Sequence, residues 1–391
     1  MAGSASQVQW SMRSEFRRVD DLDPFLELAR QAFAIPQHEY PSLKTYVEGL
    51  VARGTELFGI YRAGKLHSAT MLHPFRMRLR EGLVVMGGLG FVCSRLDARG
   101  QGATRALLVE VLGTMRKRGH AVSVLYPFSL SFYRRYGWEL FSQELRVLLL
   151  PGTIAAAEGP GIEAETLPCP DQEAQDFYNA YAYAHYTLVQ RGEREWWKAL
   201  FPRSDEAGRG VVKFTCEGRV VGLLSYTLPG QGEGNRLVVP LFIPVDEQAK
   251  RDMLAFLARL SFQIKELDLR VPAGFALWPY LKEAPARASL GNPVMLRIVS
   301  LEALEDLSVS APDMELALQV EDQQAPWNAG GFTLAVEDGR LHVKPGGKPK
   351  LHWGSAPSRP PWRGSPRSES SSLGRWPRPS PLAAARTYPA G

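Results

Sequence analysis

An apolar run over residues 86–92 leads, through a turn carrying Gly100 and Gly102, into an amphipathic run over 103–115. Such a turn aims successive backbone N–H groups at one spot, and the helix behind it adds the positive end of its dipole. Glycine lets the chain approach an anion closely or take up positive φ. The ligand class this predicts is a phosphate or pyrophosphate. The helix stop is equally legible, since Arg116-Lys117-Arg118-Gly119 sets cations in the last turn and glycine just beyond. Residues 122–125 predict the next strand, and Phe132-Tyr133-Arg134-Arg135-Tyr136-Gly137 a short helix marked by tyrosine. Two nucleotide folds are excluded: no G-x-G-x-x-G opens a βαβ unit and no G-x-x-x-x-G-K-[ST] occurs.

At 391 residues the chain exceeds one average domain, so two or three are expected. Hydrophobic residues make up 45% and charged residues 22%, as in ordinary soluble globular proteins. No apolar run approaches the roughly 18–20 residues that span a bilayer. Residues 1–16 lack an apolar h-region, so neither a membrane nor secretion is expected. Cys93, Cys169 and Cys216 are widely spaced and odd in number. That favours a reducing, cytoplasmic setting with thiols buried for packing, and no disulfide frame or metal site. Six arginines and one glutamate within residues 351–391 account for the whole net charge of +5. The remaining 350 residues are formally neutral, and no nucleic-acid partner is expected.

Along the chain, residues 16–33 carry a helix with Asp23 as N-cap and Pro24 in the first helical position. Residues 56–61 and 66–74 read as strands joined by Arg62-Ala63-Gly64-Lys65, and the central strand begins at 83–86. Residues 144–150 read as a closing strand, and the Gly, Ala, Glu and Pro of 151–170 as a boundary. Beyond it come a helix over 171–190, a hairpin around Glu217-Gly218, a strand over 237–245, a helix over 249–260 and a strand over 266–271. The order of the first part is repeated without its glycine turn. Tyr181, Tyr183, His185 and Tyr186 either line a cleft or form a packing face.

Arg99-x-x-Gly102-x-Thr104 resembles the acetyl-CoA pyrophosphate loop of GNAT N-acetyltransferases, R/Q-x-x-G-x-G/A, with threonine where that family has a small residue. Tyr133 and Gly137 match its Tyr-x-x-x-Gly helix. Farther on, Met295-Leu296-Arg297-Ile298-Val299 precedes a pattern built from Val320, Asp322, Pro326-Trp327-Asn328, Gly330, Phe332 and Leu334. Together these resemble the enhanced intracellular survival (Eis-type) acetyltransferases. The resemblance implies an α/β chain (α+β, mixed sheets) with two tandem GNAT-like domains followed by a partial sterol-carrier-like α/β domain. The expected organisation is a catalytic GNAT domain over 1–150, a second GNAT-like domain without a cofactor loop over 151–290, and the partial carrier-like domain over 291–345. Residues 346–391 form a Pro/Ser/Arg-rich tail expected to be disordered, with too little apolar surface to offset its ordering entropy. A GC-rich alternate reading frame would produce the same composition.

The resemblance also implies the chemistry, an acetyl-CoA-dependent N-acetyltransferase acting on a primary amine of a small molecule, a polyamine-like compound or a lysine side chain. Leu89, Gly90, Phe91 and Val92 would pair with the pantetheine arm and offer backbone donors to the thioester. Arg99, Gly100, Gln101, Gly102, Ala103 and Thr104 would hold the pyrophosphate. Tyr133 would be the general acid for the leaving thiolate, protonated at neutral pH by its ordinary pKa of about 10. No metal is implied. The family base is a terminal carboxylate; this sequence ends at Gly391 on the tail, and no base is assigned. Glu56, His67, His73 and Glu139 lie within the first domain, and the sequence singles out none as base. A homo-oligomer is implied as well. A non-catalytic acyl-CoA or lipid-binding scaffold is the alternative, and an acyltransferase using a longer acyl-CoA is another. A fragment ending near Leu150 is expected to keep acetyl-CoA binding.

Overall fold

The computed structural model describes residues 14–155, 159, 161–184, 189–190, 208–228 and 235–354. The first half runs β1 (Glu15–Arg18), α1 (Leu22–Ala32), α2 (Tyr40–Ala52), β2 (Glu56–Arg62), β3 (Lys65–Leu79), β4 (Gly82–Ser94), α3 (Ala103–Lys117), β5 (Val122–Leu125), α4 (Leu130–Arg134) and β6 (Glu139–Leu149). α3 forms because Leu107, Leu108, Val111, Leu112 and Met115 recur at helical spacing, and all five are buried against the sheet. The N-cap of α1 is Asp21 rather than Asp23. Its backbone is extended and its carboxylate accepts from Asp23 N at 3.1 Å, the geometry that a cap requires. Glu15–Arg18, whose four polar-rich residues carry no strand periodicity, is an edge strand paired with β2.

The second half repeats the order: β7 (Ile162–Leu167), α5 (Gln172–Ala184), β8 (Val189–Gln190), β9 (Arg209–Cys216), β10 (Arg219–Thr227), β11 (Arg236–Pro244), α6 (Glu247–Arg259), β12 (Glu266–Pro272) and β13 (Arg287–Ile298). The stretch read as a boundary therefore contains a strand. β7 is an outer strand with mostly exposed side chains, so apolar alternation does not mark it. Of the helix expected over 171–190, α5 accounts for the part to Ala184, and His185 and Tyr186 lie outside the described residues. Ala174, Tyr178 and Ala182 bury one face of α5 against Val211, Leu223 and Ile243, with Tyr181 packed alongside.

Both halves share one sheet, ordered β1-β2-β3-β4-β5-β13-β6-β12-β11-β10-β9-β7, with β8 against β3. The order reads alike from either end, and its centre is an exchange. β13 opposes β5 from Met295↔Leu125 to Ile298↔Val122. β6 opposes β12 from Leu267↔Leu149 to Pro272↔Glu144. Each half thus has the other half's last strand beside its own last but one.

A second sheet follows: β14 (Leu307–Ser308), β15 (Met314–Glu321), β16 (Gly330–Glu337), β17 (Arg340–Pro345) and β18 (Leu351–Gly354), ordered β14-β17-β16-β15-β18. β18 lies in the stretch read as tail and runs parallel to β15. Residues 355–391 lie outside the described residues. Leu301, Leu304, Leu307, Leu318, Val320 and Phe332 pack against Met77, Val84, Met86, Ala121 and Val122, so this domain sits on the first-half sheet.

Candidate active site

The site begins where β4 leaves β5. The two strands pair in parallel from Met86↔Val122 to Leu89↔Leu125, and there the pairing stops. On its other edge β4 continues against β3, but with a bulge: Ala69 pairs Cys93 and Met71 pairs Gly90, which leaves Phe91 and Val92 opposite Thr70. Phe91 takes φ +48°, a left-handed conformation that costs a bulky residue strain and persists only where surrounding structure holds it. Thr70 Oγ1 does part of that holding by donating to Gly90 O at 2.9 Å. Beyond Leu89, the edge of β4 that faces β5 has no strand paired to it among those described. The side chain of Phe91 turns toward the opening helices, with ring centroids 5.2 Å from Phe33 and 6.4 Å from Tyr46. Both of these rings are exposed.

The predicted anion turn follows directly. Gly100 and Gly102 take φ +75° and +92°, and a Cβ built on either meets nothing within 4 Å. The seat is open. Gly102 is the N-cap of α3 and no side chain caps the helix, so the first-turn N–H groups of Ala103 and Thr104 are unclaimed by a cap. Arg99 is exposed beside them, and Gln101 is tied back by its amide to Asp97 O. Thr104, the departure from the family pattern, has a structural role. Its hydroxyl lies 2.6 Å from Ser94 Oγ, Ser94 donates to Ser68 Oγ at 2.8 Å, and Ser68 donates to Cys93 O at 2.8 Å. Ser94's proton is committed to Ser68, so Thr104 is the donor. This relay pins the start of α3 to the far end of β4.

Tyr133 stands on α4, after the chain leaves β5 through the exposed Tyr126 and Phe128. The Tyr133 ring is buried edge-on against Phe128, Phe132 and Trp138. Burial raises its phenol pKa, and the neighbouring Cys93 raises it further. Burial also pushes the Cys93 thiol up to about 12, so both groups keep their protons. Gly137 closes the turn at φ +84°, and a Cβ there would overlap the guanidinium of Arg297.

Of the four possible bases, two are engaged elsewhere. Glu56 is paired with Arg18 and Arg118, and Glu139 with Arg134, which lowers its carboxyl pKa. His67 is half-buried and lowered by that burial. His73 is brought to the site: a Cβ at Gly90 would lie 2.7 Å from its Nε2, while Thr55 Oγ1 lies 2.8 Å from its Nδ1. Burial lowers its pKa to about 4. Sequence reasoning missed Phe33, Tyr46 and the placing of His73. No local signal marks a bulge that turns one phenylalanine toward two helices.

The matching turn of the second half is closed. There Asp246 caps α6, its carboxylate accepting from Ala249 N at 2.8 Å, so a side chain already claims a first-turn donor.

Comparison with known families finds the same kind of domain in both halves. Residues 16–141 match an acetyltransferase (GNAT) domain, residues 187–298 match a second family of the same description, and residues 301–356 match the sterol carrier protein domain. The chain carries two tandem GNAT domains and a sterol carrier domain. Similar solved structures include a GCN5-related N-acetyltransferase from Anabaena variabilis, 21% identical over 88% of each chain with a TM-score of 0.79. A conserved protein from Enterococcus faecalis, described as a probable N-acyltransferase, is 21% identical over 85% of this chain and 86% of its own (TM-score 0.74). Eis1 from Mycobacterium abscessus is 16% identical over 87% of each chain (TM-score 0.70). At these identities the likeness is one of fold. The comparison with curated proteins found no match. The GNAT fold is one that supports acyl transfer. In this chain the glycine turn of the first GNAT domain is uncapped and open, and the matching turn of the second is capped.

Proposed function

We propose that the first GNAT domain is an acetyl-CoA-dependent N-acetyltransferase of the Eis type, acting on a primary amine. The observation that carries this reading is the uncapped start of α3, with two left-handed glycines over open space, beside a β4 edge freed from β5. Residues 99–104 would hold the pyrophosphate by backbone N–H groups, the helix dipole and the Arg99 guanidinium. Leu89 to Val92 would take the pantetheine arm as an added strand and turn donors to the thioester carbonyl. When bound, acetyl-CoA supplies the activated acyl group. The amine would enter past Phe33, Tyr46 and Phe91. Tyr133 would give its proton to the departing sulfur, a role that suits a phenol held protonated by burial. No base is assigned.

The scaffold alternative is less well supported. The apolar face of the sterol carrier sheet is packed on Met77, Val84, Met86 and Val122 rather than left for a lipid. No helix among the described residues is long and apolar enough to cross a membrane. We take a homo-oligomer in the cytoplasm, with no nucleic-acid or membrane partner, as part of the same proposal. A thiol-release assay tests it, with acetyl-, butyryl- and octanoyl-CoA against spermidine, tyramine and Nα-acetyl-lysine. Amine-dependent release, fastest with acetyl-CoA, is expected. Tight CoA binding without amine-dependent release would favour the scaffold, and faster release from octanoyl-CoA a long-chain acyltransferase.

A further inference from the structure

Tyr133 is carried by a helix of only five residues, too short to hold its own orientation. Its carbonyl accepts from Tyr136 N at 2.9 Å and from Trp138 N at 3.3 Å, so its position depends on the turn that follows. That turn is gripped from outside the first GNAT domain. Arg297, near the end of β13 and 4% exposed, donates through Nη1 to Tyr136 O. Its guanidinium fills the space that a side chain at Gly137 would need and lies over the Trp138 ring, 5.6 Å from the centroid.

Arg297 is held in turn by Asp322 of the sterol carrier domain, whose two carboxylate oxygens accept from Nη2 at 2.8 and 2.7 Å. Asp322 Oδ1 also accepts from Gln324 N at 3.1 Å and Ala325 N at 2.9 Å. The next residues lock this loop to the end of β13. Trp327 Nε1 donates to Val299 O at 2.7 Å, Asn328 Nδ2 donates to the same oxygen at 3.1 Å, and Asn328 Oδ1 accepts from Leu301 N at 3.0 Å. Three domains thus meet at one turn: the first supplies Tyr136 and Gly137, the second Arg297, the third Asp322.

We propose that Arg297 and Asp322 are positioning residues that set the Tyr133 hydroxyl, so that through Asp322 the sterol carrier domain takes part in the acyl-transfer machinery of the first GNAT domain. This rests on the acid role given to Tyr133 above. Asp322→Asn keeps the shape of the side chain and removes its charge. A small displacement of a reacting group costs roughly 10²-fold, so kcat for the best amine of the panel should fall by about 10- to 100-fold. The acetyl-CoA Kd should be unchanged by calorimetry, because residues 99–104 are untouched. In a Tyr133→Phe background the same substitution should cost nothing further, since both losses run through one hydroxyl. Amide exchange over residues 130–138 should quicken in Asp322→Asn, and Asp322→Glu, which retains the charge, should recover part of both effects. Unchanged exchange over 130–138 in folded Asp322→Asn, or losses that multiply in the double variant, would overturn the inference. Failure of the acid role is recognisable separately: Tyr133→Phe would then turn over normally, whatever the exchange arm reads.

Discussion

Tyr133, which is buried, and His73, which is half-buried, are groups whose charge states the fold sets in advance. The Tyr133 pKa lies above its ordinary value because the ring is removed from water, so the proton remains at pH values where a solvated tyrosine would lose it. Tyr133→Phe removes that proton and keeps the packing volume. The expected outcome is a kcat lower by about 10²–10⁴-fold, with the acetyl-CoA Kd and thermal midpoint near wild type. Normal turnover by the folded variant would remove Tyr133 from the chemistry. His73 shifts the other way, lowered by burial from 6.5 to about 4. Between these values the unfolded chain binds a proton that the folded chain refuses, so stability rises with pH across this window and is lost as pH falls through it. His67 and His120 are also lowered by burial and add to the same slope. The thermal midpoint should therefore drop between pH 6.5 and 4, and His73→Gln should flatten part of the drop. An unaltered slope would mean that His73 is charged in place.

At the scale of elements, the glycine turn before α3 was legible because its signal is local. Gly100 and Gly102 are needed for their positive φ, and the apolar spacing of Leu107 to Met115 fixes which face of α3 is buried. The short tyrosine helix was legible through Tyr133 and Gly137, although the reason for Gly137 was not, since the guanidinium it accommodates arrives from residue 297. The bulge at Phe91 left no trace, because the residue there is one that usually avoids its conformation. Edge strands such as β1 and β7, polar and exposed, look like loops until their partners are known. Within the turn, Arg99 allows a clean test. Its side chain is exposed and engages no described residue, so its removal costs the fold little. A hydrogen bond to a charged group contributes about 1.5–3 kcal/mol. Arg99→Ala should therefore weaken acetyl-CoA binding by roughly 10- to 100-fold with kcat at saturation and the thermal midpoint unchanged. Calorimetry showing wild-type affinity would take Arg99 out of the pyrophosphate site.

At the scale of the molecule, the strand exchange argues against the expectation that a fragment ending near Leu150 would keep acetyl-CoA binding. Sequence spacing suggested two halves in series, and nothing in residues 122–150 announces that the strand between β5 and β6 comes from residues 287–298. Without β13, both inner edges of β5 and β6 are open, and β6 loses β12 as well. Open apolar edges of this kind invite pairing with other chains. Met295, buried in the core with Leu125 and Trp138, would leave a hole beside Tyr133. A cut near Ser300 keeps β13 but strands Arg297, 4% exposed, without Asp322. Removing one partner of a buried ion pair costs about 3–5 kcal/mol, a large share of the roughly 5–15 kcal/mol that stabilises a domain. The same cut exposes Met77, Val84 and Met86, which the sterol carrier domain covers. Three lengths of chain therefore give an ordered set of outcomes in urea titrations followed by tryptophan fluorescence. The full chain should unfold cooperatively. A fragment ending at Ser300 should unfold at markedly lower urea, with faster amide exchange over residues 130–138. A fragment ending at Leu150 should show no cooperative transition and no acetyl-CoA binding. Cooperative unfolding and wild-type affinity in that shortest fragment would mean that β6 can close on β5 without β13, and that the exchange of strands does not hold the active domain together.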